Sequence, residues 1–60
     1  MTIIRNTHTQ NIFAGFTPNG KTRWVMYEDG MVAVIFITKE QANEVARDLR
    51  NHGFVVEVIS

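Results

Sequence analysis

Residues 22–37 constrain the fold more than any other part of the chain. They read Thr22-Arg-Trp-Val-Met-Tyr-Glu28, then Asp29-Gly30, then Met31-Val-Ala-Val-Ile-Phe-Ile37. Asp-Gly suits a type I′ turn, whose twist matches that of flanking strands, so a β-hairpin is expected. The turn sets Glu28 opposite Met31, Met26 opposite Ala33 and Trp24 opposite Ile35. One face then carries Trp24, Met26, Met31, Ala33, Ile35 and Ile37. The other carries Val25, Tyr27, Val32, Val34 and Phe36, with Arg23 at its end. A sheet with one face in water alternates apolar and polar residues. This pattern does not, so both faces should be covered. Only one helix follows, and one helix covers one face. A second copy of the chain or a protein partner is the simplest cover for the other.

The length sharpens this need. The chain has 60 residues, enough for one domain over residues 1–60. A domain of this size buries only about 60% of its unfolded surface. Small domains lean on disulfides, metals or association for the missing stability. Cysteine is absent, which removes disulfides and thiolate sites. His8 and His52 are the only histidines, too few for an ordinary zinc site without carboxylates. No cofactor or metal is therefore expected, and association remains.

The helix is announced by local chemistry. Thr38-Lys-Glu-Gln41 matches a capping box, with Ile37 and Ala42 at the hydrophobic-staple positions. Ala42, Val45, Ala46 and Leu49 follow at the spacing of one helical face. Gly53 suits the left-handed position after the last turn. A helix over about residues 39–52 follows. Its apolar stripe is narrow and made of small side chains, so it should sit close to the sheet.

The remaining segments are shorter. Residues 11–17 read as a strand in which Gly15 weakens the run or marks a bulge. Thr17-Pro-Asn-Gly-Lys21 is turn chemistry leading to residues 22–28. Residues 54–59 form a last strand, with Phe54, Val56 and Val58 on one face and Val55, Glu57 and Ile59 on the other. A strand at 31–37, the helix and this strand suggest a right-handed parallel βαβ unit. Residues 2–10 stay ambiguous between strand and loop. The expected class is α+β: a small, mainly antiparallel β-sheet with one helix on one face, in the order β-β-β-α-β.

Charge narrows the function classes. Six Lys and Arg balance six Asp and Glu, so no general attraction to nucleic acid or membrane follows. The distribution is uneven. Residues 1–27 hold Arg5, Lys21 and Arg23 and no acid, whereas residues 28–60 hold three cations against six acids. The longest apolar run, Met31 to Ile37, is far too short to span a bilayer. A signal-peptide pattern is missing from Met1-Thr-Ile-Ile-Arg-Asn. A cytoplasmic protein is expected.

Catalytic chemistry finds little purchase. His8 lies among threonines without a nucleophile or carboxylate nearby in sequence, and reads as a solvated loop residue. His52 falls in the last helical turn, where it can bond the final carbonyls. Asn19-Gly20 and Asp29-Gly30 lack the context of a phosphate loop. An enzyme is not expected.

Two binding readings remain. Trp24, Met26, Met31 and Ile35 form an apolar patch larger than a monomer usually leaves bare, and methionine suits adaptable interfaces. They are the candidate protein interface of a homodimer or regulator. The alternative is a small nucleic-acid binder using Arg5, Lys21 and Arg23 beside the aromatics. In size, neutrality and its one-helix sheet the chain is similar to small phage or mobile-element proteins that bind and inhibit a host protein. That similarity implies an inhibitor or regulator.

Overall fold

The computed structural model describes residues 2–26 and 34–60. Four strands form one sheet: β1 (Ile3–Asn6), β2 (Ile12–Phe16), β3 (Thr22–Val25) and β4 (Val56–Ile59). Their spatial order is β3-β2-β1-β4, and every described pairing between them is antiparallel. The helix α1 (Lys39–Asn51) precedes β4 in the chain. The α+β class and the order β-β-β-α-β are present, but one of the strands that fill that order was not expected.

The unexpected strand is β1, which sits between β2 and β4. Its end is fixed by Asn6, which is buried. The Asn6 Oδ1 accepts from the backbone N–H of His8 at 2.8 Å and of Thr9 at 3.1 Å. This Asx turn reverses the chain, a local use of short polar side chains. The turn closes through Gln10 N–H to the Asn6 carbonyl and Asn6 N–H to the Asn11 carbonyl, both 2.8 Å. Gln10 adopts the left-handed region, φ 67°, and its Nε2 donates to the Thr7 carbonyl at 3.0 Å. The polar run that reads as a loop is thus a tight connection between two core strands.

In β2 the pairing shifts by one residue between Phe13 and Phe16. Gly15 lies in this bulge at φ 95°, a conformation glycine adopts without strain. The bulge resets the alternation, so Phe13 and Phe16 face the same side despite their spacing of three. Their rings meet edge to face at 5.3 Å. Beyond Ile12 the strands β1 and β2 have no further paired residues. Residues 34–36 enter beside this parting. Val34 N–H donates to the Phe13 carbonyl at 3.0 Å, and Phe36 N–H to the Thr2 carbonyl at 2.8 Å.

Among the described residues the expected parallel βαβ unit is not seen. β4 pairs antiparallel with β1, with Ile4 opposite Val58 and Arg5 opposite Glu57. That register matches apolar residues on one face and opposite charges on the other, which residues 31–37 cannot offer. Of the strand expected at 31–37, residues 31–33 lie outside the described residues, as does the Asp29-Gly30 turn. Among the described remainder, Phe36 makes an isolated bridge to Thr2. The expected pairing of Trp24 with Ile35 is also not seen among the described residues, because the residues on either side of Ile35 bond instead to Phe13 and Thr2.

The core lies between α1 and one face of the sheet. Ile4, Phe13, Ala42, Ala46, Leu49 and Val56 form its buried cluster, with Trp24, Val34, Phe36 and Phe54 among the residues packed against it. The two alanines let the helix backbone come close to β1 and β4, as their small size suggests. The helix start is fixed by Thr38, whose Oγ1 accepts from Gln41 N–H at 3.2 Å. The staple is absent: Ile37 is 89% exposed, whereas Ala42 is fully buried. At the other end His52 caps the helix and Gly53 takes φ 97°. Thr38→Ala removes the acceptor for an otherwise unpaired amide and should cost about 1 kcal/mol. Urea denaturation checks this, with Thr38→Ser expected to restore most of the loss.

Candidate functional site

The register assigns every strand residue to a face, because residues directly opposite one another point the same way. Ile4, Asn6, Phe13, Trp24, Val56 and Val58 face the helix. Ile3, Arg5, Ile12, Val25, Glu57 and Ile59 face the other way. No described helix or strand lies over that second face. It is apolar at Ile3, Ile12, Val25 and Ile59, and Ile12 is only 2% exposed.

Among the described residues, one ion pair crosses the middle of this face. The Arg5 Nη2 donates to Glu57 Oε1 at 2.6 Å, across 52 residues of sequence. Both side chains keep partial exposure, 32% for Arg5 and 42% for Glu57, so the pair adds at most about 1 kcal/mol. The Arg5 Nε has no acceptor among the described residues. Arg23 shares this face, two positions before Val25 on β3, and is exposed. Among the described residues this surface therefore combines three part-exposed aliphatic side chains, Ile3, Val25 and Ile59, with two arginines and one glutamate.

The residues singled out from the sequence are dispersed. Trp24 is half-buried on the helix side, with its ring 5.9 Å from Phe13 and 5.3 Å from Phe54. Met26 and Ile35 are more than half exposed, at 58% and 56%. Ile35 is turned away from the core that holds its neighbours Val34 and Phe36. Met31 lies outside the described residues. The three cations of the nucleic-acid reading also separate. Arg5 is held by Glu57 and Arg23 is on the same far face, whereas Lys21 borders a groove on the helix side.

That groove, about 460 Å³, lies between the β2–β3 turn and the end of α1 and is lined by Lys21, Thr22, Trp24, His52 and Phe54. Sequence reading did not assemble it, because Trp24 of β3 and Phe54, which follows α1, are distant in sequence and meet only in the tertiary fold. The imidazole at its rim has a structural task. His52 Nδ1–H donates to the Asp48 carbonyl at 2.8 Å, the capping role expected at a helix C-terminus. His8 lies apart, in the turn after β1.

Among the described residues, no group of three or more His, Asp or Glu side chains is placed to hold a metal ion. No described helix is long and apolar enough to cross a membrane. Compared with known proteins, the chain matches no family model, no curated protein and no solved structure. The arrangement defines a small α+β protein with a four-stranded antiparallel sheet and one helix.

Proposed function

We propose that this chain is a non-enzymatic protein-binding module, an inhibitor or regulator that works as a homodimer and receives its partner on the far sheet face. The observation that carries this reading is the make-up of that face. Ile3, Val25 and Ile59 supply a part-exposed apolar area over the buried Ile12, and among the described residues Arg5 and Arg23 outnumber Glu57 around it. Interfaces commonly combine an apolar centre with arginine anchors and a polar rim. The fitting partner has an apolar patch edged by carboxylates. Two such faces pressed together would bring like charges into contact, so a different protein fits this surface better than a second copy.

A nucleic-acid partner needs a continuous basic track with stacking aromatics. Lys21 lies on the helix side whereas Arg5 and Arg23 share the far face, and Trp24 is on the side opposite those two arginines. Protein is the favoured partner for that reason.

A photo-crosslinking side chain placed at Val25, and separately at Asn43 on the exposed helix face, tests the reading in the cells that express the chain. A discrete protein adduct is expected from Val25 and not from Asn43, and Arg23→Glu should abolish it. Equal labelling from both positions, or nucleic-acid adducts from Val25, would overturn it.

A further inference from the structure

The outer edge of β4 carries an inference about how two copies meet. Its hydrogen-bond directions follow from the register. Thr7 N–H donates to the Val55 carbonyl at 2.9 Å, and Arg5 lies opposite Glu57. In an antiparallel ladder, pairs that exchange hydrogen bonds alternate with pairs that do not. Val55, Glu57 and Ile59 therefore aim their backbone groups at β1. Val56 and Val58 aim theirs outward. An independent contact agrees: the Arg50 Nη2 reaches the outward Val56 carbonyl at 3.0 Å. The outward amides of Val56 and Val58 and the Val58 carbonyl have no partner among the described residues.

Edge strands in stable proteins are usually protected by proline, lysine, a bulge or a covering element. Residues Val56–Ile59 contain neither proline nor lysine, and no bulge interrupts their pairing with β1. We propose that two copies join antiparallel through this edge, about a two-fold axis at Val58, so that the two four-stranded sheets become one. This deepens the homodimer part of the reading above by naming the contact, and it leaves the far face open to a partner.

Two observations select the register. Pairing centred on Glu57 would set two glutamates directly opposite, which is destabilising. Pairing centred on Val56 would build its central bonds on the carbonyl that Arg50 already holds. Pairing centred on Val58 uses only open groups for its central bonds. Val58 N–H of each copy donates to the Val58 carbonyl of the other, and Glu57 lies beside Ile59 of the second copy. The strand can thus pair with a second copy of itself without opposing glutamates or displacing Arg50, and a second copy is the occupant proposed.

The test uses the full chain, which lacks native cysteine. At a hydrogen-bonded antiparallel pair the Cα atoms are about 5.5 Å apart, inside the range a disulfide bridges. Val58→Cys should therefore oxidise to a covalent dimer much faster than Val55→Cys, although Val55 is the more exposed position. Amide exchange of the wild type gives a second readout that needs no substitution. Val58 N–H should be protected at high concentration and lose protection on dilution, whereas Glu57 and Ile59 stay protected throughout. Faster crosslinking at Val55, or a Val58 amide that exchanges freely at every concentration, would overturn the proposal. Failure here with the Val25 adduct retained would locate the error in the edge contact and not in the partner face.

Discussion

Ile4→Ala is expected to leave the chain largely unfolded at room temperature. Ile4 is fully buried and packs in the cluster with Phe13, Ala42, Ala46, Leu49 and Val56. It is contributed by a central strand, so its loss opens a cavity between sheet and helix. Truncations of this kind cost about 2–5 kcal/mol. Native domains hold only about 5–15 kcal/mol in total, and a short chain sits at the low end. Urea denaturation followed by Trp24 fluorescence should show a midpoint collapsed towards zero denaturant. Ile3→Ala is the matched control. Ile3 is the same residue type one position away, but it faces the other side and is half-exposed. Its loss should be much smaller. Equal losses at the two positions would contradict the assignment of faces.

The second large effect is expected at a polar residue. Asn6→Ala removes an acceptor that serves two backbone N–H groups, those of His8 and Thr9. Losing two part-buried hydrogen bonds costs about 1–3 kcal/mol together. The turn also sets the register of β1 against β2, so the damage extends beyond the two bonds. Asn6→Asp keeps the acceptor and should retain most of the stability. The same denaturation experiment separates the two variants. Similar losses for Ala and Asp would mean that burial of the side chain, and not its acceptor, holds the turn.

These two residues also mark where the fold was and was not legible in the sequence. The helix could be read almost to its ends because its signals are local: Thr38 accepts from Gln41, three residues on, and Gly53 takes the left-handed turn. β1 could not be read, because what makes it a strand is pairing with β4 from the far end of the chain. Asn6 looks like a loop residue since it does make a turn. Its burial depends on the strands on either side.

Face assignments failed for a related reason. Alternation tells which residues share a face within a strand but not which neighbour each strand takes. The turn at Asp29-Gly30 suggested Trp24 beside Ile35, whereas Trp24 packs on Phe13 and Phe54 under the helix. The bulge at Gly15 changes the phase inside β2, so a period-two reading puts Phe16 on the wrong side. The Arg5–Glu57 pair joins residues that no sequence window could connect. The expectation of one helix packed on one side of the sheet held, because its capping and periodicity signals are local. The part-exposed members of that face are Ile3 and Arg5 of β1, Arg23 and Val25 of β3, and Glu57 and Ile59 of β4, so only two of them come from residues 22–37.

The central claim is that the far sheet face meets a protein partner. The most direct measurement is a backbone and methyl NMR titration of the labelled full chain with the protein captured by the Val25 crosslinker. The account predicts shifts concentrated at Ile3, Arg5, Arg23, Val25 and Ile59. The outer helix positions Glu40, Asn43, Glu44 and Arg47 should stay unmoved. Shifts confined to the outer helix, or to the groove around Trp24 and His52, would contradict it.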